Sequence, residues 1–262
     1  MNQVLVLYRF QEYNKINGTL FYCYEYYQML KSLNIKASII VFGNIKDKDQ
    51  ELILKVFDDK YVMNDGIIFL NYRTKLYQHI IQSNKILILD TNTYLNIQDF
   101  LGKSKVYLFC NKHIKDTNYK DSIVYGSYDL YQKFDHFDYL RINFDIYKPI
   151  INVDNKIFIS SPEYDLIDNK YKKDNKYLIK QHNVTYDNLL SRISKVIYIH
   201  TCIDTNNRIL VEASYFGIAY DIINHITTVD SIVLRDLDIS QGNINNYVLS
   251  KDSSLMQSLL KQ

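Results

Sequence analysis

A chain of 262 residues with 47% hydrophobic side chains can bury a sizeable core, as one large α/β domain or as two. Its 31 basic and 29 acidic residues leave a formal charge of +2, which neither marks nor excludes a nucleic-acid partner. There is no apolar run long enough to span a membrane, no signal-peptide pattern in MNQVLVLYRF, and no CxxC among Cys23, Cys110 and Cys202. A reduced, cytoplasmic protein without a metal cluster or a membrane partner is therefore expected, and a monomer. The 25 Tyr, the lack of Trp and the 2 Pro fit AT-rich coding, so the tyrosines are expected in packing rather than as a stacking platform.

In chain order, QVLVLY (Gln3–Tyr8) is an apolar β-branched run suited to a buried parallel strand. A polar loop closing on Asn17-Gly18-Thr19 leads into a helix whose Leu20, Cys23, Tyr24, Tyr27 and Leu30 share a 3.6-residue period, with Asn17 or Thr19 as its cap. This is how nucleotide-binding α/β folds begin, although the full GxGxxG is absent. KASIIVF (Lys36–Phe42) is a second strand, Gln50–Phe57 a helix, and YVMND a short strand. GIIFLNYRTKLYQHIIQSN reads as strand then helix, and KILILD (Lys85–Asp90) as another buried strand. Asp90 opens the loop DTNTYLN before a helix at NIQDFLG. A carboxylate there is either the cap of that helix or a catalytic group where open α/β sheets bind ligands. KVYLFCN (Lys105–Asn111) and SIVYG supply further strands, separated by a lysine-bearing loop.

Pro149 and the polar INVDNK mark the expected boundary, giving domains 1–149 and 150–262. The second half restarts with KIFIS (Lys156–Ser160), KYLIKQHN, a helix over Val184–Ser194, and the strand VIYIH (Val196–His200). A polar turn, a helix carrying Arg208 and Glu212, Gly217 and a second apolar run complete a βαβ unit, and DSSLMQSLLKQ closes the chain as an amphipathic helix. Both halves alternate strand and helix, which predicts two Rossmann-like domains with parallel sheets facing across a cleft. Arg208 and Glu212 are four apart, so they share a face at the helix start: a surface ion pair, or a grip on phosphate and ribose.

The pattern HN-x2-Y-x2-LLSRIS-KVIYIH-x3-DTNNR-x3-E-A-x2-FG-I, from His182 to Ile218, resembles the carboxyl-terminal domain of GT-B glycosyltransferases. The likeness is to small bacteriophage enzymes that glucosylate hydroxymethylated DNA bases, and Asn17-Gly18-Thr19 and the two-halved length fit it. The resemblance implies a UDP-sugar donor, glucose being the expected hexose, with Arg208 on the diphosphate and Glu212 on the ribose hydroxyls. Asn206 and Asn207 add first-turn backbone donors, Lys180 and His182 charge or a hydrogen bond, and Arg192 is a further candidate. Thr201 and Cys202 lie where backbone groups would read the base. No metal cofactor is implied, and Asp236-Leu237-Asp238 is read as a coincidental DxD. Gly18 and Thr19 let the backbone approach phosphate or sugar. An inverting enzyme needs a general base, for which Asp90 is the choice and Asp65 and Glu12 the reserves. With double-stranded DNA as acceptor, Lys103, Lys105, Lys112, Lys115 and Lys120 would meet its phosphates, though Asp116 and Asp121 interrupt them. The other readings are a surface-polysaccharide glycosyltransferase and a non-catalytic nucleotide- or DNA-binding α/β protein.

Overall fold

The apolar runs at 3–9, 36–42, 85–88 and 105–109 are strands whose central residues are buried, and their parallel pairing organises the larger part of the molecule. The computed structural model describes residues 3–12, 17–63, 65–71, 73–110, 119, 122–126, 135–151, 154–160, 167–179, 189–200, 208–224 and 243–261. The chain divides into two compact units, Met1–Tyr147 with Tyr247–Gln262, and Lys148–Asn246.

The first unit contains β1 (Gln3–Arg9), α1 (Gly18–Ser32), β2 (Lys36–Phe42), α2 (Asp47–Lys60), β3 (Ile67–Leu70), α3 (Arg73–Ile81), β4 (Lys85–Ile88), α4 (Thr91–Ile97), β5 (Lys105–Phe109), β6 (Ser122–Gly126) and β7 (His136–Phe137). These strands form one parallel sheet in the order β3-β2-β1-β4-β5-β6-β7. Strand alternation sends Leu5, Leu7, Ile40, Ile86, Ile88, Val106 and Leu108 to one face, where Leu76 and Ile80 of α3 and Tyr94 and Ile97 of α4 cover them. Tyr107 and Tyr125 point to the other face, so both faces are covered, as parallel sheets require. α1 is buried over almost its whole circumference from Leu20 to Leu30, more than its one apolar stripe announces. Its Phe21 and Tyr24 rings meet Phe57 of α2 at 5.5 and 4.7 Å. The fully buried Glu25 accepts from the hydroxyls of Tyr61, at 2.7 Å, and Tyr147, at 3.1 Å. The tyrosines do serve as packing: eight of the largest fully buried side chains are Tyr, each an apolar ring with a hydroxyl to place.

Several local expectations are corrected. α4 starts at Thr91, earlier than the NIQDFLG segment, because Asp90 caps it directly. In YVMND, Tyr61 makes only an isolated antiparallel bridge to Tyr147, so β3 is the next strand. The division falls at Tyr147/Lys148, and residues 247–262 return to the first unit rather than completing the second. Two backbone bonds join Ile142 to Tyr247 and Leu249, each at 2.8 Å. The closing helix, α8 after the second unit's elements (Ser254–Leu260), buries Leu255, Met256 and Leu259. Ser258 receives the hydroxyls of Tyr107 at its carbonyl (3.0 Å) and Tyr125 at its Oγ (2.6 Å), while Asp138 accepts from the Leu255 amide (3.0 Å).

The second unit contains β8 (Lys156–Ser160), α5 (Asn169–Lys172), β9 (Tyr177–Ile179), α6 (Leu189–Arg192), β10 (Ile193–His200), α7 (Arg208–Tyr215) and β11 (Ala219–Asn224). Its sheet is also parallel, in the order β11-β10-β8-β9, so this unit too is an α/β layer structure. β10 begins three residues before the expected Val196, and its register against β8 shifts between Ile193 and Lys195. α7 ends where Gly217 adopts φ +68°. There the Ile218 amide bonds to the Ala213 carbonyl at 2.9 Å, a glycine-terminated helix cap.

Candidate functional site

Both sheets contain a topological switch point, the place at the carboxyl edge where successive connections leave in opposite directions. In the first unit it lies between β1 and β4, and in the second between β8 and β10. Right-handed crossovers, the rule for such connections, send the chain that follows these strands to opposite faces of the sheet.

In the second unit the helix after β10 carries the predicted pair. Arg208 Nε donates to Glu212 Oε1 at 2.6 Å, and the two residues are only 8% and 3% exposed. The surface-pair alternative is therefore wrong in its setting: this is a buried ion pair, fixed by one turn of helix. Taking both charges out of water is costly, and their close contact offsets part of that cost. Arg192 instead reaches Asp154 at 3.2 Å near the opposite edge of the strands. Lys180, His182, Thr201, Cys202, Asn206, Asn207 and Asp236-Leu237-Asp238 lie outside the described residues, as do Lys112, Lys115, Asp116, Lys120 and Asp121.

In the first unit Asn17 is the cap of α1, accepting from the Leu20 amide at 3.0 Å while its Nδ2 donates to the Tyr8 hydroxyl at 2.6 Å. Gly18 and Thr19 are the half-buried first residues of that helix. Asp90 sits at the switch point, 3% exposed, with Oδ1 on the Thr93 amide (2.7 Å) and Oδ2 on the Thr93 hydroxyl (2.6 Å). The same threonine oxygen accepts from the Arg9 amide at 3.0 Å, which ties β1 to α4. Asp90 thus acts as a cap. Its charge also helps push up the thiol of buried Cys23, after burial itself. Burial likewise holds Cys110 up to about 11, so neither cysteine is a nucleophile at neutral pH. Asp65 is held below the usual carboxylate range by its hydrogen bond from Lys31. Lys103 and Lys105 are exposed, the latter 5.6 Å from the Tyr107 ring.

Beside the switch point, at the carboxyl ends of β1, β2 and β3, lies a cavity of about 440 Å³ bordered by Arg9, Phe10, Gln11, Glu12, Phe42, Gly43, Asn44, Asn71 and Asn96. The ladder makes it. Arg9 pairs with Phe42 and Phe42 with Leu70, while the Phe10 amide reaches Phe42 at 2.8 Å and the Gly43 amide Leu70 at 3.0 Å. Glu12 Oε1 accepts from Asn44 Nδ2 at 3.0 Å, with Lys46 Nζ at 4.0 Å, whereas the Arg9 guanidinium has no hydrogen-bond or ion-pair partner among the described residues. Of this group the sequence singled out only Glu12. The signal that was there is positional, since Arg9, Asn44 and Asn71 each stand just where a buried run gives out.

Among the described residues there is no cluster of three or more His, Cys, Asp or Glu side chains able to hold a metal, and no helix long and apolar enough to cross a membrane. Comparison with protein-family models, curated proteins and solved structures finds no match for this chain.

Proposed function

We propose that the chain is a glycosyltransferase that moves a hexose, glucose in the first instance, from a UDP-sugar to a hydroxyl acceptor. The observation that carries this reading is the Arg208–Glu212 pair, held at 2.6 Å across the first five residues of the helix that follows a parallel strand beside a switch point. A guanidinium matches phosphate oxygens and a carboxylate matches a ribose diol, and this helix end presents both. In this reading Arg208 takes the diphosphate and Glu212 the ribose. Asn207, Lys180 and His182 add donors, Gly18 and Thr19 approach the transferred sugar, and no metal is called for. The GT-B arrangement, two parallel sheets facing across a cleft, is the geometry the reading requires.

The acceptor hydroxyl needs a base. Asp90 already engages both oxygens on Thr93, whereas Glu12 borders an open cavity, so Glu12 is the better placed of the two. A hydroxymethylated base of phage DNA and a surface saccharide are the two acceptor versions. Transfer of labelled sugar to one and not the other decides between them.

Calorimetry with UDP, UDP-glucose, UDP-N-acetylglucosamine and GDP-sugars tests the donor. Arg208→Lys keeps the positive charge and Glu212→Gln keeps the side-chain shape, and both are expected to weaken UDP-sugar binding by about tenfold or more. Unchanged affinity in two folded variants would sink the reading. A second reading, a non-catalytic nucleotide- or DNA-binding protein, is favoured by the burial of the pair, which as a structural clamp needs no ligand. Slow UDP-sugar hydrolysis without acceptor separates an enzyme from it. Binding of DNA with a steep salt dependence and no turnover would favour it.

A further inference from the structure

The cavity at the ends of β1, β2 and β3 has no role in donor binding as read above, and its chemistry is specific. At about 440 Å³ it falls within the range of small-molecule sites, roughly 300–1,000 Å³, and has no room for a nucleic-acid duplex. Arg9 borders it, and its guanidinium has no hydrogen-bond or ion-pair partner among the described residues. A lone cation in a concave site attracts an anion, and a guanidinium prefers the two-oxygen geometry of phosphate or carboxylate.

The remaining border is not anion-binding but hydroxyl-binding. Glu12 is an acceptor already oriented by Asn44, while Asn44, Asn71 and Asn96 carry neutral amides. Phe10 and Phe42, both almost wholly buried, give the floor apolar edges on which a sugar ring can lie. Gly43 keeps that floor bare. Its φ of +140° disfavours a side chain, and a Cβ there would meet the Phe10 carbonyl oxygen at 3.4 Å. The backbone under the site is fixed by the sheet ladder and by the Arg9 amide on Thr93, so the groups are held in place before a ligand arrives.

We propose that this cavity binds a small polyhydroxylated anion, a hexose bearing one phosphate or carboxylate, with Arg9 on the anionic group and Glu12, Asn44 and Asn71 on the ring hydroxyls. The site stands on the first unit alone. It holds whether or not Arg208 and Glu212 grip a nucleotide.

The test is titration of the isotope-labelled full chain with glucose 6-phosphate, glucuronate, glucose and UDP, following the amide signals of Gly43 and Asn44 and the dissociation constants. Glucose 6-phosphate or glucuronate is expected to move those two signals and to bind about tenfold more tightly than neutral glucose. Which of the two does so tells phosphate from carboxylate. Arg9→Gln is expected to abolish that preference with the melting temperature little changed, since the guanidinium has no hydrogen-bond or ion-pair partner among the described residues, and Arg9→Lys to retain part of it. Three results would each overturn the proposal. They are no binding of either acidic hexose at millimolar concentration, binding that survives Arg9→Gln, and UDP rather than the hexoses moving Gly43 and Asn44. Loss of UDP binding at Arg208 variants leaves all of these readouts in place, so failure here and failure of the donor reading are distinguishable.

Discussion

The two units handle a guanidinium at the carboxyl edge of a parallel sheet in opposite ways. In the second unit Arg208 is buried and neutralised by Glu212 four residues on, whereas in the first Arg9 borders a cavity with no partner among the described residues. The carboxylates differ as well. Glu212 is balanced by a cation, but the equally buried Glu25 of the first unit is balanced by two neutral hydroxyls. The lesson is that an arginine in such a position reports on function only together with its burial and its partner. A buried, paired guanidinium is part of the fold whatever else it does, while an unpaired one beside a cavity adds little to stability.

The largest effect expected is at the buried pair. Arg208→Met or Glu212→Leu alone removes the ion-pair partner at 2.6 Å of a buried charge and should lower the free energy of unfolding in urea by about 3–5 kcal/mol, with the double variant recovering much of it. Arg9→Gln measured alongside should change it by less than about 0.5 kcal/mol. Equal losses at Arg9 and Arg208 would erase the contrast. Next, Glu25→Leu leaves the Tyr61 and Tyr147 hydroxyls without their acceptor, for an expected cost of about 2–3 kcal/mol. Glu25→Gln, which can still accept, should cost less than Glu212→Gln, since no cation is stranded.

Lys85 is a buried cation with yet another solution, donating to the carbonyls of Leu259 and Lys261 at the end of α8. Lys85→Met should cost about 1–2 kcal/mol and speed amide exchange in 254–260. Burial holds the Lys85 ammonium below its usual 10.5, with Lys105 adding a smaller push in the same direction. Between its folded value and 10.5 the unfolded chain binds the extra proton, so stability should rise with pH in that window, and Lys85→Met should flatten the rise. The smallest effect is expected for the exposed Lys31–Asp65 pair, at 3.0 Å, where Asp65→Asn should cost less than about 1 kcal/mol. Its contribution is present above the usual carboxylate value of 3.8 and fades as pH falls through the lower folded value.

The runs at 36–42 and 156–160 mark their strands to the residue, because burial on both faces of a parallel sheet leaves an apolar β-branched or aromatic centre. Gly217 likewise announces the end of α7, as only a residue tolerant of positive φ closes that turn cheaply. The Arg208 and Glu212 spacing is equally local. Its burial is not, since that depends on what surrounds the helix. Asp90 carried two meanings in the sequence, and the hydroxyl of Thr93, three residues on, weighs toward the cap. The cavity was illegible for a different reason. Arg9, Asn44 and Asn71 are separated by whole helices, and only the register of β1, β2 and β3 brings them level. The same holds for α8, whose place beside Tyr107 and Tyr125 no short-range pattern encodes.

That helix has a consequence for biosynthesis. The first unit is assembled from two stretches of chain with the whole second unit made in between. A ribosome that has delivered residues 1–147 has supplied every strand of the large sheet, yet Tyr107, Tyr125 and the Lys85 ammonium still lack the partners that α8 brings. The part of the sheet around Tyr107, Tyr125 and Lys85 stays open while about a hundred further residues emerge, on the order of 5–20 s at ordinary elongation rates. During that interval the nascent sheet exposes apolar surface of the kind that chaperones cover, and completion of the first unit reports that translation has run through the second.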